Sequence, residues 1–347
     1  MILREALRSK AALMLFVALG AGWLMLQVGG GSQAAEPEKP RIILGVGGKS
    51  LLYYLPLTIA EQRGFFKEEG IEVTINDFAG GSQSLQALIG GSVDVVTGGY
   101  EHTLNMQAKG QDIRAVVELA RNATVLAVRK DRASKIKTLA DLKGAKIGVT
   151  APGSSTYFFV VYLLSKAGLK ASDASFIGVG GGAAAIAGIT TGELDAISNL
   201  DPVISRLETE GAVTILADSR TSTGTDEIFG GPVPAAVLYA RKAFIDANPV
   251  TMQRLANAFI KALKWIEGAT PEQVVDAVPK NLWLGDRELY TRSIAASMPT
   301  YSRTGLITEA GMKASLRVME FDPAIANAKI DLSKTYDDRF AKAALEK

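Results

Sequence analysis

The 347-residue chain contains no cysteine and only one histidine. Without cysteine it forms no disulfide and carries no lipid-modified cysteine, so its stability must come from the size of its core. A single histidine excludes a metal site built from several histidines. A Gly-x-Ser-x-Gly motif is also missing, so nothing supports a Ser–His–Asp hydrolase. We therefore expect no metal, no cofactor and no catalytic residue.

The chain also lacks a strong excess of charge. Lysine and arginine number 38 against 36 acidic residues, a formal net charge of +2. When the three basic residues and one acidic residue of the first 34 positions are removed, the two signs balance. No basic tract is present that would attract nucleic acid or an anionic membrane. We expect neither as a partner.

The longest apolar stretch lies at the N-terminus. Three basic residues precede an 18-residue apolar run from Ala11 to Val28, and small residues follow it. This order is typical of a secretory signal peptide, and Ser32-Gln33-Ala34 fits the cleavage site, with cleavage after Ala35 as a second choice. Residues 1–35 are thus assigned to a signal peptide, which predicts a periplasmic protein without stable membrane insertion. The alternative is an uncleaved anchor, because 18 apolar residues can span a bilayer.

The remaining chain repeats one order of elements. A strand, a loop, a helix, a strand, a Gly-rich turn, a helix and a strand follow Pro40, and the same order returns from residue 145. Alternating strands and helices indicate parallel pairing in an α/β fold. An offset of 101 residues pairs Gly81 with Gly182, Leu85 with Ile186, Leu88 with Ile189, Gly91 with Gly192, Asp94 with Asp195 and Thr97 with Ser198. Matched positions of this kind favour two copies of one βαβ plan.

The last hundred residues are mainly helical. Asn248-Pro249 is a helix start, and Leu255, Phe259 and Leu263 fall on one apolar face. We expect the chain to cross between two lobes near residues 127–132 and again near 232–240. The predicted first lobe is 40–128 plus 238–347, with the helical tail covering it, and the second lobe is 129–237.

The turns with unusual composition all follow predicted strands. In open α/β sheets, ligands bind beyond the carboxyl ends of the strands. Two such edges facing each other would form a cleft. The candidate ligand-binding residues in these turns are Lys49, Ser50, Gly80, Gly81, Ser82, Tyr100, Glu101, His102, Gly153, Ser154, Ser155, Thr156, Asn199 and Asp201.

The chemistry of these turns is mixed. Glycines and helix N-termini favour an anionic or carboxylate group, with serine hydroxyls as donors and Lys49 as a counter-charge. Tyr100 would offer a ring face, Glu101 an acceptor for an ammonium, and His102 a hydrogen-bonding imidazole. The alternative is structural: serines that cap helices, a solvated lysine and a core histidine. Asp94 and Asp195 begin their strands, away from the cleft, and are interpreted as structural.

The block from Leu55 to Lys109, which contains "GGSQSLQALIGGSVD" and a closing "AKG", resembles the nitrate/sulfonate/taurine group of ABC-transporter substrate-binding proteins. The resemblance implies a type II periplasmic-binding fold that hinges shut on one small solute and docks on a permease and ATPase complex. We expect the protein to be a monomer. It maps the ligand loops onto 48–51, which adds Leu51, and onto 80–82, 99–102, 153–156 and 199–201. Tyr100-Glu101-His102 departs from the small residues usual there, which favours an organic solute with acidic and basic or aromatic parts over an inorganic anion.

Two other functions stay open. Thiamine-pyrimidine synthases resemble this fold but look like cytosolic proteins with a cysteine-rich motif, which this chain lacks. A binding protein that reports to a sensor kinase would use the same cleft. We expect a receptor and not an enzyme.

Overall fold

The structure is a computed structural model that describes residues 35–121 and 123–346. The chain divides into two units, residues 1–36 and 37–347, and the second unit has the architecture given below. The predicted signal peptide lies outside the described residues, apart from Ala35. Within the described ranges, no helix combines the length and the apolar character needed to cross a bilayer.

Ten strands and fifteen α-helices lie in the described residues. The strands are β1 (Arg41–Gly47), β2 (Glu72–Phe78), β3 (Val95–Gly99), β4 (Ile113–Arg121), β5 (Val125–Arg129), β6 (Lys146–Val149), β7 (Ser175–Gly178), β8 (Ala196–Asn199), β9 (Val213–Asp218) and β10 (Pro234–Arg241). The helices are α1 (Leu55–Gln62), α2 (Phe65–Glu68), α3 (Gly81–Ile89), α4 (Glu101–Ala108), α5 (Ser155–Lys166), α6 (Ala183–Thr190), α7 (Val203–Thr209), α8 (Ser222–Phe229), α9 (Lys242–Ala247), α10 (Pro249–Gly268), α11 (Pro271–Asp276), α12 (Arg287–Ser297), α13 (Glu309–Met319), α14 (Pro323–Ala326) and α15 (Arg339–Leu345).

The strands form two five-stranded sheets with the same arrangement. The first has the order β2-β1-β3-β10-β4 and the second the order β7-β6-β8-β5-β9. In each sheet, three neighbouring strands pair in parallel, as predicted. One strand taken from elsewhere in the chain, β10 or β5, pairs antiparallel with a neighbour on each side, so the fifth strand runs in the direction of the first three. The predicted duplication is therefore confirmed, and the fold is α/β with two mixed sheets. We call each sheet with its attached helices a lobe.

The two aspartates of the repeat have the same structural role. Asp94 accepts the backbone N–H of Ile43 at 2.9 Å, and Asp195 accepts that of Lys146 at 3.0 Å. Both bonds fix the start of the central parallel strand, β1 or β6, to its neighbour. The interpretation of these acids as structural is confirmed.

The chain passes between the sheets at positions that differ from those expected. Strand β4 ends at Arg121 in the first sheet and β5 begins at Val125 in the second. The return lies between the end of β9 at Asp218 and the start of β10 at Pro234. Strand β5 joins the second sheet through pairing with β8 and β9, and such distant partners leave no periodic pattern in the sequence. The division of the chain into two lobes stays a prediction. The strand pairing puts its boundaries between residues 121 and 125 and between residues 218 and 234.

Helix α10 is the main core helix of the C-terminal region. It starts at Pro249 as predicted, and Leu255, Phe259 and Leu263 are all buried. It packs against α1, α2, β4 and α15, which are elements of the first lobe and the tail. The predicted return of the tail to the first lobe is confirmed for this helix.

Candidate functional site

The site lies where loops from the two lobes meet. The loops that follow β1, β2 and β3 belong to the first lobe, and those that follow β6, β7 and β8 belong to the second. Direct hydrogen bonds join them: Ser50 Oγ to Gly181 O (3.0 Å), Leu52 N to Asp201 O (2.9 Å), Ser82 N to Ser154 Oγ (2.9 Å) and Ser155 Oγ to Glu101 Oε1 (2.5 Å). The strand ends thus form a cleft whose walls touch.

Glycine makes this approach possible. A methyl group on Gly80 would lie 2.7 Å from Ala151 Cβ, and one on Gly181 would lie 2.6 Å from Leu51 Cγ. Both distances are shorter than real carbon contacts, so a larger residue at either position would push the lobes apart. Leu51 itself is buried, and it fills the space beside Gly181.

His102 sits at the contact between the lobes. Its Nδ1 lies 3.1 Å from Tyr239 Oη, and its Nε2 lies 3.3 Å from the carbonyl oxygen of Gly153 in the other lobe. A carbonyl only accepts, so Nε2 carries the proton and Tyr239 donates to Nδ1. Burial lowers the pKa of His102, although the nearby Glu101 carboxylate opposes this shift. The imidazole is therefore neutral and bridges the lobes.

Glu101 begins helix α4 and points toward the second lobe. Its Oε1 accepts the Ser155 hydroxyl and lies 3.9 Å from His102 Nε2. A methyl group on Gly99 would lie 2.0 Å from the same carboxylate, so only glycine allows this rotamer. The first lobe thus holds a carboxylate against the second lobe.

A small pocket of about 40 Å³ lies beside Glu101 and Ser155, and we call it the cavity. Its wall also includes residues of the passages between the lobes, such as Thr124 and Pro234. The hydroxyls of Tyr53 and Ser315 are buried and have no hydrogen-bond partner among the described residues. The full lining is Tyr53, Glu101, Thr124, Ser155, Phe158, Phe159, Phe229, Val233, Pro234, Ala235, Ser315, Val318 and Met319.

The phenols near the cleft are neutral. Burial raises the pKa of Tyr53 and of Tyr239 well above 10, and the Glu101 carboxylate adds to both shifts. The pKa of Tyr54 is raised by the same two causes. Three neutral phenols therefore surround a carboxylate and a neutral imidazole.

The structure places several of the predicted residues at the junction. Lys49 follows β1, but it pairs with Glu61 at 2.5 Å and not with groups of the other lobe. The glycines at 80, 81 and 153 and the serines at 50, 82, 154 and 155 lie where the lobes meet.

Four of the predicted residues bond within their own lobe. Tyr100 is fully buried, and its hydroxyl lies 2.6 Å from Thr335 Oγ1. Thr156 bonds with Thr150, and the Asn199 amide donates to Gly180 O. The Asp201 carboxylate accepts Ser205 N, while its carbonyl oxygen accepts Leu52 N across the cleft. The ring face expected from Tyr100 therefore points into the lobe interior.

The sequence analysis missed most of the cavity wall. Tyr53 stands three residues after Ser50, and Phe158 and Phe159 follow the Ser/Thr cluster, so aromatic residues next to the turns were a usable signal. Thr124 and Ser315 reach the cavity only through the chain path between the lobes and through helix α13. Nothing in the local sequence marks them.

Solved structures of similar proteins support the fold. A structure from Bordetella bronchiseptica RB50 is 50% identical, with a TM-score of 0.87, and covers 90% of this chain and 99% of its own. The alkanesulfonate-binding protein from Xanthomonas axonopodis pv. citri, bound to MOPS, is 21% identical with a TM-score of 0.70, and covers 88% of this chain and 100% of its own. The second likeness is one of fold, and the fold is that of periplasmic binding proteins.

The sequence relatives include binding proteins and enzymes. A proposed aliphatic sulfonates-binding protein of Escherichia coli (strain K12) is 31% identical over 62% of this chain and 66% of its own length. A 4-amino-5-hydroxymethyl-2-methylpyrimidine phosphate synthase of Aspergillus parasiticus is 25% identical over 79% of this chain and 83% of its own. The model of the NMT1-like family matches residues 35–278. The chain therefore belongs to the NMT1-like family.

Proposed function

We propose that this protein is a periplasmic receptor of an ABC importer, which closes its two lobes on one small organic solute. The solute is anionic or zwitterionic, of the sulfonate, taurine and nitrate class, and is passed to a permease and ATPase complex. The chain acts as a monomer after export. The proposal rests on the predicted signal peptide and on what the sulfonate-binding relatives are named for.

One observation carries the proposal. The cavity beside Glu101 is lined by residues of both lobes and of both passages between them. A hinge motion at the passages would therefore change how far the cavity is open to solvent. The hydroxyls of Tyr53 and Ser315, buried there without partners, cost free energy unless a ligand or water bonds to them. A receptor whose solute satisfies these groups on closure explains the arrangement.

Two measurements test the proposal. Native mass spectrometry of the mature protein, purified without refolding, should detect one bound organic molecule per chain. Small-angle scattering should then show a smaller radius of gyration with the solute than after its removal by partial unfolding and dialysis. A protein that retains no solute, and whose scattering is unchanged by sulfonates, taurine and nitrate, would contradict the proposal.

The enzyme alternative has one specific observation in its favour, the pyrimidine phosphate synthase relative. Both nitrogens of His102 are engaged, by Tyr239 and Gly153, so proton transfer between His102 and a substrate would require one of these contacts to break. Conversion of a bound solute during incubation, followed by mass spectrometry, would support the enzyme. A sensor role shares the cleft and is separated by partner capture, using the permease complex and a histidine kinase as alternative baits.

A further inference from the structure

The cavity beside Glu101 carries one formal charge, and that charge is negative. None of the described residues that line it is lysine, arginine or histidine. We propose that this cavity binds the protonated amino group of the solute, with the Glu101 carboxylate as its counter-charge. This inference rests on the proposed function and narrows the solute from an anion to a zwitterion or an organic cation.

The acceptors around the cavity match an ammonium group. An ammonium carries three N–H donors and no acceptor. Glu101, Tyr53 and Ser315 are lining residues that carry oxygen acceptors. Tyr53 and Ser315 are 5% and 3% exposed, and their hydroxyl groups are buried without a hydrogen-bond partner among the described residues. Ser155 already donates to Glu101 Oε1, which holds the carboxylate in place. Each donor of an ammonium would therefore find an acceptor.

The aromatic residues that line the cavity also favour a cation over an anion. Phe158, Phe159 and Phe229 line the cavity, and the last two rings lie 5.8 Å apart. The faces of aromatic rings attract cations and repel anions. A sulfonate or carboxylate placed here would meet three ring systems and a carboxylate with no compensating cation. The anionic end of a zwitterion must therefore lie elsewhere in the cleft.

The size of the cavity fits a head group. A volume of about 40 Å³ holds roughly two to three water molecules. An ammonium with one carbon attached occupies similar space, whereas a whole organic solute does not. The remainder of the solute would replace some of the direct contacts between the lobes, such as those of Ser82 and Ser154.

Thermal unfolding of the mature protein with methylammonium chloride as the probe tests the inference. At equal ionic strength, methylammonium should raise Tm by about 2 °C or more over sodium chloride at saturating concentration. Sodium acetate, a small organic ion of the opposite charge with two more heavy atoms, should give no rise. In Glu101→Gln the methylammonium shift should vanish, and in Tyr53→Phe it should shrink.

A matched variant distinguishes binding in the cavity from a general effect of removing a buried negative charge. Glu69 is a buried carboxylate of the first lobe that bonds to Asn257 and Lys261, so Glu69→Gln removes a buried charge elsewhere and should keep the methylammonium shift. Acetate stabilising more than methylammonium, no specific shift at all, or equal shifts in Glu101→Gln and wild type would each overturn the inference. If native mass spectrometry identifies a solute without an amino group, the proposed amine site is contradicted, while the proposed receptor function is supported. A rise in Tm with methylammonium, in a protein that shows no closure with any solute, would support the amine site and contradict the receptor function.

Discussion

The two lobes share a scaffold and differ in what they bring to the cleft. Both have the same strand order, and both fix the central strand with an aspartate at the same offset. At the ends of β3 and β8, however, the repeat places Pro202 and Val203 where the first lobe has Glu101 and His102. The second lobe contributes small hydroxyls and glycine carbonyls instead. The two similar sheets therefore allow the lobes to close on each other, and the turns that differ between them provide the groups that contact a solute.

The largest difference between the two lobes is expected when a bulky residue replaces each of the matched glycines, Gly81 and Gly182. A methyl group on Gly81 would lie 3.3 Å from His102 Cε1 and 3.8 Å from Ser154 Oγ of the second lobe, so a larger side chain would meet that lobe. A methyl group on Gly182 would have no atom within 4 Å. Gly81→Trp should keep the lobes apart and weaken solute binding by at least about 100-fold, whereas Gly182→Trp should change it little. Titration calorimetry with the retained solute measures both. Circular dichroism melts must show that each variant is folded, and normal affinity in Gly81→Trp would move the pocket elsewhere.

Matched core positions should respond alike. Leu88 and Ile189 are equivalent by the offset, and both are buried, at 0% and 1% exposure. Truncation of either to alanine should lower the free energy of unfolding by about 2–5 kcal/mol. Urea unfolding gives the two values. A large cost in one lobe and almost none in the other would mean that the two copies are not equivalent in packing.

The imidazole of His102 should make stability depend on pH, and the second lobe has no counterpart. Burial lowers the pKa of His102 below 6.5 in the folded chain, so the unfolded chain takes up a proton first as the pH falls. The contribution of His102 is complete above pH 6.5 and is lost as the pH drops below it. Between pH 7 and pH 5, the Tm of His102→Gln should therefore fall by less than the Tm of the wild-type protein. Equal losses would indicate that the imidazole is not held neutral.

Single bonds between the lobes should contribute least. Ser50→Ala removes the donor to Gly181 O, a partly exposed bond worth about 0.5–1.5 kcal/mol. Solute affinity should fall only a few-fold. Lys49→Met should have a still smaller effect, because Lys49 pairs with Glu61. A loss above tenfold in Lys49→Met would restore lysine as a solute contact.

The repeat, the main helix α10 and the position of the cleft were predictable from the sequence, because each has a local signal. Periodic apolar residues marked α10, and glycines after strands marked the turns. The antiparallel strands β5 and β10 were not placed, since their partners lie far along the chain. For the same reason Thr124 and Ser315 were missed, and the outward direction expected of the Tyr100 ring was reversed by its bond to Thr335.

A crystal structure of the mature protein with the solute identified by native mass spectrometry tests the central claim most directly. The account predicts electron density for the solute between the lobes, with a nitrogen atom within hydrogen-bond distance of Glu101 and Tyr53. Solute density outside the cleft, or an acidic group of the solute against Glu101, would contradict it.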